Sequence, residues 1–330
     1  EPGVLFDTLA GAVAAWNAQP PGTVGVIAVM DSATYHEDLT GADLIEVPEG
    51  SHLLLVAAGW PDPEEAGDPR TPGRLVPQDL RPHLRGSITV KGTKVESVNP
   101  TESSNPGSFA LDGLLVEGAV DVAKGNLGTL RIAHSTLVPG QGGVSCTAGN
   151  ARLEVTVTRS ITGTLSVRGA ARALRVEDSI VDGLGAPTTL RGPEVELEAV
   201  TVFGGARAVT LQASNTLFTR AVTVERRQTG CVRYSWVPAG SRVPRRYECH
   251  PETASAAHAE EPQFTSRAYG HPAYAQLSLS CPRVIVEGAD DEGEMGAFHF
   301  LQQTQRIADL RAGLGENLRV GLEAGLFFAT

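Results

Sequence analysis

The stretch that decides the fold runs from Ser108 to Gly204: SFALDGLLVEG (108–118), TLRIAHSTLVPG (129–140), EVTVTRSITG (154–163), ALRVEDSIVDG (173–183) and EVELEAVTVFG (194–204). The segments align on Leu114, Ser135, Ser160, Ser179 and Val200, with Ser214 as a sixth anchor. Five residues before these anchors stand Phe109, Leu130, Val155, Leu174, Val195 and Val209; three before stand Leu111, Ile132, Val157, Val176, Leu197 and Leu211. All are apolar, and the residues between them (Ala110, Arg131, Thr156, Arg175, Glu196, Thr210) are mostly polar. That is the period of a strand with one face inward, repeated along the chain. Second short apolar pairs follow at Val120/Val122, Val144/Cys146, Leu165/Val167 and Val222/Val224.

The first five anchors lie 19–25 residues apart and the last pair 14, which marks either a tightened rung or a false match. No amphipathic helix fits between the segments, so a βαβ sheet or a leucine-rich horseshoe is disfavoured. Two or three strands per repeat, with Gly at the turns, predict an all-β chain: a right-handed parallel β-helix over 24–225. Val24–Met30, Leu44–Val47, Leu53–Val56 and Ile88–Val90 read as less regular rungs, six to nine in all, and 61–82 as a Pro-rich projecting loop. A solenoid needs its ends covered. Leu5, Leu9, Val13 and Trp16 predict a capping helix within 1–23. Residues 226–330 read as a mixed C-terminal cap, with a helix face at Phe300, Ile307, Leu310 and Leu314.

Composition sets outer bounds. With 41% hydrophobic residues in 330, the chain has material for a large core, which excludes disorder; the 37 Gly follow no collagen period. A net charge of −11 argues against a general nucleic-acid binder, and no run of 18 apolar residues predicts a membrane span. Four cysteines do not make a disulfide scaffold in a chain of this length.

Candidate chemistry is sparse. No catalytic motif stands out; a weak alternative is a sugar-cleaving face built on Glu177 and Glu198 of adjacent rungs with Arg175, against the plain reading of a solvated charged sheet. For binding, the Arg- and aromatic-rich segment Arg226, Arg227, Arg233, Trp236, Arg245 and Arg246 suits carboxylate or phosphate recognition and sugar stacking, or else a packed cap. No metal site is expected; Asp290, Asp291, Glu292 and Glu294 form a weak alternative for Ca²⁺, against a charged loop. His271 with Asp291 is a further acid–base pairing to test against turn and capping roles. Cys231 and Cys249 either close a disulfide or remain buried thiols. No cofactor is expected.

The strings VTVERRQTGCVRYSWVPAGSRVPRRYEC (222–249), FTSRAYGHPAYAQLSLSCP (264–282) and GADDEGEMGAFHFLQQTQRIADLRAGL (288–314), with DGLLVEG (112–118) and EDSIVDG (177–183), are distinctive. They resemble a poorly characterised bacterial family whose C-terminal part is a pectin-lyase-like right-handed parallel β-helix, associated with phage-tail-like contractile injection gene clusters. The resemblance implies a structural or surface-interaction module of a larger particle-associated or extracellular protein. Its partner would be another subunit or a cell-surface glycan, and no catalytic residues carry over. The rungs lack the Asp and Arg pattern of pectate lyases. The sequence therefore predicts a non-enzymatic contact module, with polysaccharide binding or cleavage as the alternative.

Overall fold

A computed structural model describes residues 4–59, 79–94, 105–146, 149–168, 171–319, 321–322 and 325. Most of the loop expected at 61–82 lies outside the described residues.

The chain coils as a parallel β-helix with three walls. The first wall stacks Val24–Val29, His52–Ala57, Ser108–Asp112, Thr129–Ala133 and Glu154–Thr158, each paired in parallel with the next. It continues through 173–177, 194–198 and 210–214 to Gly230–Arg233 and Arg245–Tyr247. The second wall stacks Thr34–Tyr35, His83–Leu84, Leu115–Val116, Thr136–Leu137 and Ile161–Thr162, then 180–181, 201–202 and Leu217–Phe218. The third includes Ile88–Gly92, Ala119–Val122, Gly143–Cys146, Thr164–Val167 and Val222–Val224. At about 4.8 Å per step, ten strands on the first wall span roughly 43 Å.

Period-2 alternation explains the interior. Leu53, Phe109, Leu130, Val155, Leu174, Val195 and Leu211 occupy one column, and all are buried. Each such side chain contributes roughly 1.5–3 kcal/mol by leaving water. The expectation at Ser214 is corrected by two residues. Leu211, not Val209, pairs with Val195, so the sixth anchor is Thr216: the match at Ser214 was false, and the rung is also tightened, at 16 residues from Val200.

The anchors form the corner between the first and second walls. The residue before each is left-handed: Gly113, His134, Arg159, Asp178, Ala199, Asn215, Tyr234 and Glu248 all have positive φ, 45–51° for the non-glycines. Such torsions cost an L-residue about 1 kcal/mol, and a hydroxyl ladder offsets it. Ser135, Ser160, Ser179, Thr216 and Ser235 each donate to the carbonyl two residues back, at 2.6–2.8 Å. The hydroxyls of Ser135, Ser160, Ser179 and Ser235 also accept the backbone N–H of an adjacent corner. Cys249 takes the same place in the last rung, its thiol donating to the Tyr247 carbonyl at 3.3 Å.

This settles the cysteine question. Cys231 lies on the outer side of the first wall between Gln212 and Arg245, whereas Cys249 is buried at the corner, and all four cysteines are free thiols. The left-handed corner at Glu248 turns Cys249 inward while Cys231 stays on the outer side of its strand, so the two sulfurs are separated by the wall and the disulfide is absent.

At the N-terminal end, α1 (Leu9–Asn17) closes the coil. Thr8 caps it, and the Glu37 carboxylate accepts the Leu9 and Ala10 N–H groups at 3.2 and 2.8 Å. Leu9, Ala12, Val13 and Trp16 are buried; Leu5 lies before the helix and is 79% exposed, contrary to the expected face. The Trp16 ring lies against Gly25, where a Cβ would sit 2.6 Å from it. Its indole N–H donates to the Glu46 carbonyl at 2.7 Å.

The parallel stack also runs past residue 225, where the sequence pattern fades. Gly230–Arg233 and Arg245–Tyr247 are further strands of the first wall. Beyond them the tail folds back along the second wall. It carries bridges Phe264–Leu277 and Ser266–Tyr274, the one-turn α2 (Arg283–Val286) and α3 (Gln303–Asn317). None of the described residues of α3 is buried, and Leu310 is mostly exposed, so the apolar face expected there is not covered. Among the described residues, no helix is long and apolar enough to cross a membrane.

Candidate functional site

The tail and the second wall together make a concavity. Outward residues of that wall are apolar: Ile180 and Phe203 pack with Phe264, Tyr274, Ala275 and Ala297, and Leu217 packs with Trp236, Cys281, Ile285 and Met295. Polar ties fix the register of tail on wall. The Tyr274 hydroxyl donates to Asp182 Oδ2 at 2.6 Å, Ala297 N–H to Thr201 Oγ1 at 3.0 Å and Gly296 N–H to the Asn215 carbonyl at 2.7 Å. Burial, then the Asp182 contact, pushes the Tyr274 phenol well above its ordinary range.

Where the tail departs from the wall it leaves a cleft of about 450 Å³. It is lined by Ile161 and Ile180 of the second wall and by Tyr269, Tyr274, Phe298 and Phe300 of the tail. Arg159 and Asp178 enter from successive left-handed corners, with Arg159 Nε 3.3 Å from Asp178 Oδ2 and its guanidinium 5.5 Å from the centre of the Phe300 ring. Phe300 is 45% exposed and Tyr269 36%. Rings flanked by an Arg, an Asp, His271 and Gln276 can stack on an apolar face while hydrogen-bonding around it.

No family model matches this chain, and a search of curated proteins returned no match. Function therefore rests on the geometry of these sites.

The binding residues expected from sequence do not form one surface. Trp236 is 4% exposed, beneath the tail, and offers no stacking face. Arg233 and Arg245 project from the first wall, Arg233 donating to Ser214 Oγ at 2.7 Å. Arg226 and Arg227 are exposed at the turn leading into that wall. Arg246 holds an inward register position in the last strand, but its guanidinium turns to the carbonyls of Cys249 and Pro251 at 3.4 and 2.8 Å.

The carboxylates on the first wall are brought into register as expected. Glu177 pairs with Glu198 on the next rung, and Arg175 bridges Glu154 and Glu196. Glu198 is half-buried; burial raises its proton affinity, against hydrogen bonds from Ser214 and Asn215. Asn215 Nδ2 donates both to Glu198 Oε1 and to Asp290 Oδ1, at 2.9 Å each.

The acidic loop is also rearranged relative to expectation. Asp290 and Asp291 gather with His299, not with Glu292 or Glu294. Glu294 turns inward and is 9% exposed; burial pushes its carboxyl up to about 7, with His299 opposing. The His271–Asp291 pairing does not occur: Asp291 Oδ2 faces His299 Nε2 at 3.6 Å, and His271 lies in the cleft, its Nδ1 accepting the Ala273 N–H.

The cleft escaped the sequence reading, although a signal was present. SIVD (179–182) and TVF (201–203) place apolar residues on both sides of the second wall, which marks a strand covered on both faces.

Proposed function

We propose that this chain is a rigid, non-enzymatic β-helix module that makes surface contact through the aromatic cleft, with a glycan as its occupant. The observation that carries this reading is the pair of half-open rings, Tyr269 and Phe300, beside the Arg159–Asp178 pair in one concavity. A sugar presents an apolar ring face edged by hydroxyls, which suits rings edged by charged hydrogen-bonding groups. The solenoid supports the cleft because its lining on the second wall belongs to stacked rungs, each held by its neighbours. A particle-associated setting rests on the sequence resemblance alone.

The test is binding of the full chain to a glycan array, followed by titration of any ligand found. Tyr269→Ala and Phe300→Ala are expected to weaken binding at least tenfold with unchanged circular dichroism. Equal binding by both variants moves the contact elsewhere and ends this reading.

A second reading, polysaccharide cleavage, is favoured by one observation: Glu198, with its raised proton affinity, stands in register with the exposed Glu177. Strand spacing of about 4.8 Å approaches the roughly 5 Å between the carboxyls of retaining glycosidases. Acidic polysaccharides shortened by the wild-type chain but not by Glu198→Gln or Glu177→Gln would replace the contact role with an enzymatic one.

A further inference from the structure

We propose that Asp290, Asp291 and His299 hold a divalent cation of the zinc class. One ligand atom from each lies within 4.8 Å of the others. The tautomer of His299 supports this assignment. Its Nδ1 lies 3.0 Å from the Glu294 carbonyl, which only accepts, so Nδ1 carries the proton. Nε2 then faces Asp291 Oδ2 at 3.6 Å, beyond hydrogen-bond length. A backbone carbonyl fixing one ring nitrogen while the other faces carboxylates is the usual setting of a metal-binding histidine.

The carboxylates are oriented in the same way. Asp290 Oδ1 accepts from Asn215, and Asp291 Oδ1 accepts the Gly293 N–H at 2.9 Å, leaving the second oxygen of each without a protein donor among the described residues. Gly293 keeps this space open, since a Cβ there would come 2.7 Å from Asp291 Oδ1 and 3.3 Å from both His299 Nδ1 and Gln305 Nε2.

A separate observation points to a missing positive partner. Glu294, nine-tenths buried, makes no side-chain hydrogen bond among the described residues, and its backbone carbonyl is the group that holds His299 Nδ1. Beside it Gln305 Oε1 is buried with no donor, while its Nε2 is held on the Asp291 carbonyl at 3.1 Å. Two acceptors without a donor thus belong to residues that hold His299 and Asp291. Buried polar groups are rarely left so. A cation bound at Nε2 would add positive charge to this loop.

The donor set selects the ion. One imidazole nitrogen and two carboxylate oxygens suit Zn²⁺, with bonds of about 2.0–2.2 Å, and suit Ca²⁺ poorly, which takes six to eight oxygens. Asp290 and Asp291 are exposed, so a small rotation of each carboxylate about its held oxygen would close the second oxygen on the ion, with water in the remaining positions. The ion would join the loop to the solenoid through Asn215 and to the first turn of α3 through Gln305.

The test uses the full chain treated with chelator and titrated with ZnCl₂ by calorimetry, with thermal unfolding in parallel. One equivalent is expected to bind at micromolar or tighter affinity and to raise the unfolding temperature. Asp291→Asn, at an exposed position, and His299→Gln should each weaken binding at least tenfold. His250→Ala, which breaks the separate contact with Glu260, should leave it unchanged. No heat with Zn²⁺, or undiminished binding by both Asp291→Asn and His299→Gln, overturns the proposal and leaves a plain ion pair.

Discussion

Replacing Tyr274 with Phe isolates the polar tie between tail and solenoid. The ring, which packs on Phe203 and meets Tyr269 edge-on, is retained; only the hydroxyl is lost. That hydroxyl is 2.6 Å from Asp182 Oδ2, and Asp182 is 3% exposed. Its other oxygen accepts the Leu184 N–H, so the variant leaves one face of a buried carboxylate without a donor. A hydrogen bond to a charged group contributes about 1.5–3 kcal/mol, and a stranded buried acceptor costs a similar amount. About 2 kcal/mol corresponds to roughly thirtyfold in the opening equilibrium of the tail. Hydrogen exchange resolved by peptide is the direct assay. Amides of Gly296 and Ala297, which donate into the second wall, should exchange about thirtyfold faster, while those of Leu130 and Ile132 stay as in the wild type. Adding Asp182→Asn should recover part of the loss, because a neutral amide is less costly to bury. Unchanged exchange across 264–300 in Tyr274→Phe would refute the claim that this bond holds the tail down.

The Glu294 carboxyl ionises at about 7 in the folded chain against an ordinary 4.5, so between these values the folded state holds the extra proton. Stability of chelator-treated protein should therefore fall as pH rises through that window, by up to about 3 kcal/mol, and level off above it. Denaturant titrations at several pH values should show Glu294→Gln losing this slope; parallel curves would contradict it. Ser160→Ala removes a donor to the Thr158 carbonyl and an acceptor for the Ser135 N–H at a buried corner. It should cost about 1–3 kcal/mol in urea unfolding, whereas Ser278→Ala, whose hydroxyl contact to Ser280 is exposed, should cost under 0.5. Thiol titration should find four reactive groups after denaturation, with half-exposed Cys231 reacting first in the native chain. Burial raises the other three thiols, and fewer than four after denaturation would reveal a bridge.

The coil was legible because it is written locally. Alternation from Phe109 to Leu197 depends only on which face each residue presents, and every such residue is inward as expected. The register failed at Ser214, where a shorter turn moved the match by two residues and left an apolar residue, Val209, to mimic the pattern. The rungs after 225 were hidden for a related reason. Arg233, Arg245 and Tyr247 are outward, and the inward place of the last strand holds Arg246, so alternation of apolar residues lapses while strand pairing continues. The sites were less legible because they join residues far apart in the chain. Nothing local to Asp291 tells His271 from His299, and the choice follows from how the tail is tied to Asn215 and Thr201.

The tail's hydrophobic grip begins at Ile161 and Ile180, while the helical lid α1 seats on the opening turns around Gly25 and Glu46. Among the described residues, the turns between these two fittings carry neither. Whole coils are therefore insertable or removable there, as links in a chain, without redrawing the cleft. On the proposed contact role, such a molecule would be a spacer of adjustable reach with a fixed tool at one end, its length and its specificity separable.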